Sequence, residues 1–440
     1  MSPSRTPAGR PHRILIVTQF FPPEAGAPQA RLSALAAAWA SGGDAVTVLT
    51  GMPNYPTGVL PPEYRHAVRR RERRDGYRVV RTWLYATPNE GVLRKTLSHL
   101  SFMISSVLLG GRACGPVDTV VVSSGPFFSI GSAWLLARLK RARLVVEVRD
   151  LWPAIFVELG VLTNRRIIRV LERLELASYA AADQVVVVTD GFRANLIARG
   201  VPADKVHTIR NGVDLDRFRP AQAADADSPG IGQERARLGA RPGDCLVLYA
   251  GTHGISQGLP CVADAAAMLI DQAELSRGDD TPKSPPVVRV AFVGEGADKP
   301  RLKRRVAELG LRNVTLAPAV RPNQVPSLLA AADICLVTLR DVPLFAVTIP
   351  SKMFEYLAAG KAVIGAVAGE AAQILREAGA VVVPPEDVGA LADAIGALAA
   401  DPARRGAMGQ QGRAYVGRFF DRNELSKEYR KILDAPRGGR

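Results

Sequence analysis

The stretch P-S-K-M-F-E-Y-L-A-A-G, residues 350–360, brings a carboxylate and an amine to one face of a predicted helix. The leading proline and serine can begin a helix, and Gly360 can end it. Glu355 would lie in the first turns, where its carboxylate can accept hydrogen bonds from a diol such as a ribose. Lys352, three residues earlier, would share that face and could meet an adjacent phosphate. The alternative is an ordinary helix with a solvated Glu and Lys.

Glycine-bearing loops follow several predicted strands of the second half of the chain. The strand at 246–249 leads into A-G-T-H-G-I-S-Q-G, and the strand at 288–293 leads into G-E-G. The apolar run 361–367 leads to Gly369 and Glu370. Such loops let backbone amides approach a phosphate. One loop alone is more often a structural turn, but three in one domain predict a converging nucleotide site.

The first half begins with a βαβ pattern. A continuous apolar run at 14–18 predicts a strand buried on both faces of a parallel sheet. The following loop, F-F-P-P-E-A-G-A-P, contains Gly26, for which phosphate approach and simple turn formation are equally good interpretations. A later strand, 145–148, ends in Arg149 and Asp150, at the edge where substrates lie in open α/β sheets. The alternative for these two residues is a structural Arg–Asp pair.

Length and composition indicate a folded protein of two domains. The chain has 440 residues, 47% of them hydrophobic and 22% charged. Four scattered cysteines without a C-x-x-C pair argue for a reducing compartment and against a zinc site or disulfide framework. The sequence has no uninterrupted apolar run long enough to span a bilayer and no apolar signal-peptide core, so we expect no export. The aperiodic stretch 221–232 predicts a linker or an exposed insertion, and hence a domain boundary.

The positive charge is concentrated in the first half. The net charge is +15, of which residues 1–218 contribute +12 and the remainder +3. That bias suits an anionic partner: nucleic acid, an anionic membrane or a phosphorylated lipid. Residues 65–81 contain eight arginines, and such runs usually mark a solvated surface. Residues 92–108 predict an amphipathic helix, which favours core packing when taken alone; together with the arginine run, membrane contact is favoured.

Taken together, these stretches resemble a retaining glycosyltransferase of family four. The motifs extend over about residues 13–435. They are, in order, P-P-E-A-G, R-N-G-V-D-L-D-R-F-R-P, Y-A-G-T-H-G-I-S-Q-G, F-V-G-E-G, A-A-D-I-C-L and S-K-M-F-E-Y-L-A-A-G-K. Q-F-F-P-P-E-A-G-A-P-Q-A-R, G-M-P-N-Y-P-T-G and E-V-R-D-L-W-P resemble more closely the bacterial fucosaminyltransferase-like enzymes of O-antigen, capsule and colanic acid assembly.

The resemblance implies the α/β fold called GT-B, with two Rossmann-like, doubly wound parallel-sheet domains facing a central cleft. The N-terminal domain, residues 13–218, would bind the acceptor. The C-terminal domain, residues 219–415, would bind the nucleotide sugar. A C-terminal helix, residues 416–435, would pack back towards the N-terminal domain.

The resemblance also implies a reaction and a set of site residues. A UDP-linked sugar would pass with retention to a polyprenyl-diphosphate-linked saccharide at the cytoplasmic face of the anionic inner membrane, without a metal, another cofactor or nucleic acid. Glu355 would hold the ribose, the loop at Gly26 would face the diphosphate, and the acceptor would enter past Arg149 and Asp150. The catalytic candidates are Arg149, Asp150, Lys352 and Glu355. The donor-binding candidates are Gly26, Ala27, Gly251, Thr252, His253, Gln257, Gly294, Glu295, Ser351, Lys352, Glu355 and Tyr356.

The chain departs from the family pattern at two places. A second glutamate usually stands eight residues before the ribose-binding one, and here that position is Val347. The first loop of the C-terminal domain often carries an Arg and a Lys, and here the positions are Thr252 and Gln257. The first departure bears on donor-sugar recognition. The second departure implies that a residue outside this loop neutralises the donor phosphates, and Lys352 is the best candidate for that role.

Three other functions are compatible with parts of the sequence. A sugar-nucleotide epimerase shares the fold but needs catalytic acids that the sequence does not locate. A non-catalytic membrane scaffold would explain the two departures, although the retained Glu355, Lys352 and glycine loops argue against it. An NAD dehydrogenase is disfavoured because no strand is followed by G-x-G-x-x-G with an acidic residue about 20 positions later.

Overall fold

The computed structural model describes residues 10–24, 26–55, 57–88, 91–158, 160, 162–220, 229–276 and 286–434. The chain divides into two compact units. Unit 1 takes its described residues from 1–157, 162–210 and 423–440, and unit 2 takes its residues from 158–161 and 211–422. Apart from the short segment 158–161, the chain passes from unit 1 to unit 2 at 210–211, eight residues before the sequence-based boundary. The predicted linker lies outside the described residues as far as 228, and its last residues begin a helix.

Unit 1 is an eight-stranded sheet covered by helices. Its strands are β1 (Arg13–Val17), β2 (Ala45–Gly51), β3 (Arg69–Arg74), β4 (Tyr77–Thr82), β5 (Thr119–Ser123), β6 (Arg143–Val148), β7 (Gln184–Val187) and β8 (Val206–Thr208). Its helices are α1 (Ala27–Ser41), α2 (Val92–Ser105), α3 (Phe128–Lys140), α4 (Ala154–Glu158), α5 (Arg165–Ala181) and α6 (Asp190–Ala198). A π-helical turn, Ser106–Gly110, continues α2.

The sheet order of unit 1 is β3-β4-β2-β1-β5-β6-β7-β8. Every neighbouring pair is parallel except β3 and β4, which form an antiparallel hairpin at the edge. All five residues of β5 are buried, as expected for a strand with helices on both faces. Parallel strands bring their carboxyl ends to one edge, so the loops after β1, β5 and β6 lie at that edge.

Unit 2 is a six-stranded parallel sheet. Its strands are β9 (Cys245–Ala250), β10 (Val288–Val293), β11 (Val314–Ala317), β12 (Ile334–Thr338), β13 (Ala362–Ala366) and β14 (Val381–Val383), in the order β11-β10-β9-β12-β13-β14. Its helices are α7 (Pro229–Arg237), α8 (Leu259–Ser276), α9 (Lys299–Glu308), α10 (Val325–Ala331), α11 (Lys352–Ala358), α12 (Gly369–Glu377), α13 (Val388–Ala400) and α14 (Pro402–Phe419). The prediction of two Rossmann-like parallel-sheet domains is confirmed.

The predicted C-terminal helix, residues 416–435, is two helices rather than one. The helix α14 ends at Phe419, and a second helix, α15 (Arg422–Asp434), follows. The break occurs because the carbonyl of Phe420 accepts a hydrogen bond from Val213 N at 2.9 Å, and Asp421 forms a β-bridge with Val213. From residue 423 onwards the chain belongs to unit 1, where the Tyr429 ring lies 5.3 Å from the Trp39 ring.

Within the residues that the structure describes, no helix has both the length and the apolar content needed to cross a membrane.

Candidate functional site

The loops after β9 and β10 approach each other so closely that only glycine fits at two positions. A Cβ at Gly294 would lie 1.9 Å from the carbonyl oxygen of Gly251, and one at Gly296 would lie 2.3 Å from the carbonyl oxygen of His253. A hydrogen bond from His253 N to Glu295 O, 2.9 Å, joins the same two loops. The first two glycine loops therefore form one surface at the carboxyl edge of unit 2, whereas the third predicted loop packs elsewhere, since a Cβ on Gly369 would lie 1.9 Å from Ala346 O.

Lys352, the first residue of α11, extends to this surface. Its Nζ would lie 3.0 Å from a Cβ placed on Gly251. The amine hydrogen-bonds to the Tyr249 hydroxyl, lies 3.8 Å from the centre of the Tyr249 ring, and is 3.5 Å from Gln257 Oε1. Burial lowers the pKa of Lys352 to about 7, against the opposing effect of Glu355. The predicted neighbourhood of Lys352 and the first glycine loop is present in the structure.

Glu355 lies one turn further along α11 and is partly buried. Within the described part of the chain, its carboxylate has no hydrogen-bond or ion-pair partner. Burial raises the pKa of Glu355, while Arg422, Arg217 and Lys352 act in the opposite direction. A carboxylate in this state can accept hydrogen bonds from a ligand without first breaking bonds to the protein.

Tyr356 and Gln257 support the site rather than face a ligand. The Tyr356 hydroxyl, on a buried side chain, donates to Ala250 O at 2.7 Å and accepts from Ala250 N at 3.0 Å. It thereby fixes the end of β9, immediately before Gly251. The backbone oxygen of Gln257 accepts from Thr338 Oγ1 at 2.7 Å, and its side-chain Oε1 accepts from the Tyr249 hydroxyl at 3.1 Å, so both hold the end of the same loop.

The ring of His253 is not presented to solvent. It is fully buried, 5.8 Å from the Tyr249 ring and 6.4 Å from the Phe292 ring. Burial lowers its pKa to about 4, so the imidazole is neutral at physiological pH. Thr252 is exposed in the same loop. Of this predicted pair, only Thr252 offers its side chain to a ligand in this conformation.

The side chains of two further predicted site residues, Ser351 and Glu295, do not have the surroundings that the sequence suggested. Ser351 precedes α11 but makes no side-chain capping hydrogen bond, because its backbone is already helical. Glu295 is paired with Lys299, whose Nζ lies 2.6 Å from Glu295 Oε1 and 2.8 Å from Gly294 O. Sequence analysis missed Lys299, which brings a second amine to the glycine loops. Val347 ends a short 3-10 turn and supplies no carboxylate.

At the carboxyl edge of unit 1, the first loop is held by a buried carboxylate that the sequence did not reveal. Glu24 accepts hydrogen bonds from Asn54 N and Tyr55 N, each at 2.8 Å, and from Phe21 N at 3.1 Å. Through these hydrogen bonds, the glutamate of P-P-E-A-G holds the loop that contains G-M-P-N-Y-P-T-G. Gly26 follows and is exposed, and Ala27 begins α1, whose first turn has no side-chain cap. Amide groups of that turn suit an anion.

Arg149 and Asp150 follow β6 at the same edge of unit 1. Arg149 N donates to Ser124 Oγ at 3.2 Å, whereas the buried Nε and Nη1 of its guanidinium have no partner among the described residues. Burial lowers the pKa of Arg149, with Glu147 opposing the shift. Asp150 is exposed, and no Arg149–Asp150 ion pair is present in the described region. The charges of Arg149 and Asp150 still shift each other's pKa, so the two side chains interact electrostatically without a direct ion pair.

The arginine run at 65–81 forms the β3–β4 hairpin. Seven of its eight arginines are exposed, in agreement with a solvated surface. Arg81 is the exception: it is 1% exposed, its Nε donates to Glu72 Oε1 at 2.8 Å, and its Nη2 donates to Pro22 O at 2.5 Å. The last arginine of the run is therefore a structural residue that holds the loop after β1.

No group of three or more His, Cys, Asp or Glu side chains in the described ranges is arranged to hold a metal ion. The side chains at the carboxyl edge of unit 2 are instead amines, hydroxyls, an amide and one unpaired carboxylate. This set suits a ligand that carries both negative charge and hydroxyl groups.

Two family models match the chain. The "Glycosyl transferase 4-like domain" matches residues 26–212, and "Glycosyl transferases group 1" matches residues 247–401. The putative colanic acid biosynthesis glycosyl transferase WcaI of Escherichia coli is 28% identical over 327 residues, which are 73% of this chain and 75% of that protein. The GDP-mannose-dependent alpha-(1-6)-phosphatidylinositol monomannoside mannosyltransferase of Mycobacterium tuberculosis is 28% identical over 447 residues, 97% of this chain and 98% of that protein.

Solved structures show the same fold. Sucrose-phosphate synthase of Thermosynechococcus elongatus superposes with a TM-score of 0.70 at 21% identity, covering 97% of this chain and all of that chain. Anabaena HepE in complex with UDP-glucose gives a TM-score of 0.68 at 17% identity, and the match covers 96% of this chain and 99% of the HepE chain. The two family models together match well over half of the sequence, with the glycine loops and α11 inside the second match. The chain is a glycosyltransferase of family 4 with the GT-B fold.

Proposed function

We propose that this glycosyltransferase moves a sugar, with retention, from a UDP-linked donor to a polyprenyl-diphosphate-linked saccharide in the assembly of a cell-surface polysaccharide. The sugar we favour is a deoxy or N-acetylamino sugar such as N-acetyl-fucosamine, because Val347 replaces the second family glutamate. The observation that carries the proposal is the unpaired carboxylate of Glu355, one helical turn from Lys352 and the glycine loops.

Donor binding follows from the side chains that unit 2 leaves available. Glu355 accepts hydrogen bonds from the ribose hydroxyls, and the protonated Lys352 meets the diphosphate together with backbone amides near Gly251 and Gly294. Tyr356 and Gln257 position these groups without touching the donor. HepE, a protein of the same fold, was crystallised with UDP-glucose, which supports the choice of a UDP-linked donor.

The chemistry requires stabilisation of two developing charges. Negative charge grows on the departing diphosphate, and positive charge grows on an oxocarbenium-like carbon of the sugar. Lys352 and preorganised backbone dipoles act on the first charge in a partly buried site, where such interactions are stronger than in water. This arrangement neutralises the leaving group with protein groups, so we propose that transfer needs no divalent metal.

The acceptor is proposed to bind at the carboxyl edge of unit 1. The free Nε and Nη1 donors of Arg149 suit a phosphate oxygen of a lipid-linked diphosphate, since guanidinium groups bind phosphate with paired hydrogen bonds. The exposed carboxylate of Asp150 is next to it and can accept a hydrogen bond from an acceptor hydroxyl. The names of two relatives, one for colanic acid and one for a phosphatidylinositol mannoside, support an acceptor of this kind.

A lipid-linked acceptor places the protein at the cytoplasmic face of the inner membrane as a peripheral protein. The helix α2 supports this placement because it has a buried side and an exposed apolar side. Phe102 is buried, whereas Leu93 in α2 and Leu108 in the following π-helical turn are each 73% exposed. The exposed arginines of the β3–β4 hairpin lie in the same unit. An apolar stripe with neighbouring cations is typical of a surface that docks on an anionic bilayer.

A panel of nucleotide sugars tests the proposal. The protein is incubated with UDP-, GDP- and TDP-linked sugars and a polyprenyl-diphosphate saccharide, with nucleotide release and glycolipid product measured in the presence and absence of EDTA. We expect release of UDP, a product that retains the anomeric configuration, and no effect of EDTA. Release only from GDP-sugars would reject the donor assignment. Activity restored only by magnesium or manganese would reject the metal-free mechanism.

A further inference from the structure

A cavity of about 400 Å³ lies at the sheet edge of unit 1, away from the carboxyl ends of the parallel strands. Arginines from three segments line it: Arg71 and Arg73 from β3, Arg78 from β4, and Arg112 from the segment after the π-helical turn. All four side chains are exposed. The volume falls in the range of small-molecule sites, and four guanidinium groups make it a site for an anion.

The positive charge of this cavity is not neutralised by the protein. Glu72 is the one carboxylate in its lining, and Glu72 Oε1 already accepts hydrogen bonds from Arg81 Nε at 2.8 Å and the Tyr64 hydroxyl at 3.0 Å. In the described structure, Arg71, Arg73 and Arg112 form no ion pair. Four like charges so close together repel one another, and a bound anion relieves that repulsion.

Two exposed leucines belong to segments that lead to the cavity wall or bond to it. Its wall at 112–115 directly follows the π-helical turn that carries the exposed Leu108. Lys140, the last residue of α3, donates to Gly115 O in that wall at 2.5 Å, and its neighbour Leu139 is 67% exposed. Exposed leucines do not stabilise the binding of a small soluble anion. In a bilayer, phosphates lie directly above hydrocarbon, so this combination fits a lipid.

We propose that this cavity binds the phosphate headgroup of an anionic phospholipid and fixes the position of unit 1 on the membrane. The inference rests on the proposed function, in which the acceptor is presented at a bilayer. It goes further by assigning a defined headgroup site, distinct from the acceptor edge at Arg149, to residues that take no part in sugar transfer.

The test compares two variants that lose the same charge. The cavity variant carries Arg71→Gln, Arg73→Gln, Arg78→Gln and Arg112→Gln. The control carries Lys303→Gln, Arg312→Gln, Arg376→Gln and Arg404→Gln, which are exposed in unit 2. Partitioning is measured on vesicles of phosphatidylcholine with and without phosphatidylglycerol. Each cation near an anionic surface contributes about fivefold, so the loss of four cations should weaken binding of the cavity variant to the anionic vesicles roughly 600-fold. The control should change less than about threefold.

A second arm separates a lipid site from a site for free anions. Short-chain phosphatidylglycerol, kept below its micelle concentration, and inorganic phosphate are titrated into the protein and followed by NMR of the arginine side chains. We expect the lipid to shift Arg71, Arg73, Arg78 and Arg112 and phosphate to bind at least tenfold more weakly. Equal binding of the two ligands, or equal loss of vesicle binding in the control variant, would overturn the proposal.

Folding and donor binding are checked in the same samples. If the cavity variant melts earlier than the wild type, the pair Arg71→Gln and Arg73→Gln on the exposed edge strand replaces it, with an expected loss of about 25-fold. UDP affinity should be equal in all variants, because the donor residues belong to unit 2. A wild-type protein that binds anionic lipid but no UDP would reject the transferase proposal and leave the headgroup site intact.

Discussion

The loops at the carboxyl edge of the sheet are stabilised in different ways in the two units. In unit 1, buried charged side chains stabilise these loops. Glu24 accepts hydrogen bonds that fix the loop after β1, and Glu147 forms an ion pair with Arg31 at 3.1 Å. In unit 2, neutral groups hold the loops, through the hydroxyl of Tyr356 on Ala250 and the close approach of glycine backbones. The paired Lys299 and Glu295 lie at the more exposed side of that edge.

This difference determines which charges remain for a ligand. Among the described residues of unit 2, no buried ion pair holds the glycine loops, so Lys352 and Glu355 remain available to a donor. Unit 1 commits Glu24 and Glu147 to internal contacts and leaves the exposed carboxylate of Asp150 and the Nε and Nη1 donors of Arg149 for a ligand. The two edges therefore differ in their response to mutation. Breaking a buried ion pair should unfold unit 1, whereas removing a ligand-directed charge from unit 2 should weaken binding and leave the fold intact.

The largest effect is expected from Glu147→Ala. Arg31 is 8% exposed and Glu147 is fully buried, so the substitution leaves a buried guanidinium without its carboxylate. Arg31 also donates to Ile209 O at 3.0 Å and Arg210 O at 2.9 Å, where the chain leaves unit 1. We expect a loss of about 3 to 5 kcal/mol in the free energy of unfolding, measured by urea titration.

The control for that prediction is Glu424→Gln in α15, also in unit 1. Glu424 and Lys427 form an exposed pair at 2.7 Å, which is worth at most about 1 kcal/mol. If both substitutions cost the same, buried charge does not hold the edge of unit 1, and the comparison with unit 2 loses its basis.

An intermediate effect is expected from Glu355→Ala, this time on binding. The lost charge-assisted hydrogen bonds to the ribose should cost about 1.5 to 3 kcal/mol, or roughly 10- to 150-fold in UDP affinity by calorimetry. Because burial raises the pKa of Glu355, its charge is unfavourable in the free protein, and the melting temperature should not fall. The exposed Glu308→Ala in α9 is the control. Unchanged affinity in Glu355→Ala would remove this residue from the donor site.

Local patterns of the sequence were sufficient for the apolar strands, the glycine loops and the helical spacing of Lys352 and Glu355, but not for the β3–β4 hairpin, whose arginine run predicted only a charged surface. The strands are continuous apolar runs, and the pair depends only on helical spacing. Both features are set within a few residues of the chain. The family of the protein followed from the order of these motifs, and the two family models confirm it.

Side-chain direction and long-range partners could not be predicted in the same way. Arg81 is buried in a run that reads as solvated, because its partner Pro22 O is 59 positions away in sequence. The hydroxyl of Tyr356 is bonded to Ala250, 106 positions away. The ring of His253 is turned inwards by packing against Tyr249 and Phe292. Each outcome depends on tertiary contacts that no local window contains.

The smallest effect is expected from a change of one pH unit, and it concerns Lys352. Burial lowers the pKa of this amine to about 7, so it loses its proton in the free protein as the pH rises through neutrality. A diphosphate needs the ammonium form. UDP affinity should therefore be level below pH 7 and fall by up to about tenfold per pH unit above it, since one pKa unit corresponds to about 1.4 kcal/mol. Calorimetry with UDP between pH 6.5 and 9 measures this slope.

The variant Lys352→Met provides the control, and it should bind UDP weakly with no slope above pH 7. The stability of the free protein gives an independent check with the opposite sign. The unfolded chain keeps the Lys352 proton up to about pH 10.4, whereas the folded protein releases it near 7, so this residue makes the protein more stable as the pH rises between those values. A wild-type UDP affinity that stays constant from pH 6.5 to 9 would show that the diphosphate does not contact Lys352. The nearby Lys299, already bonded to Gly294 O and Glu295, would then be the amine to test.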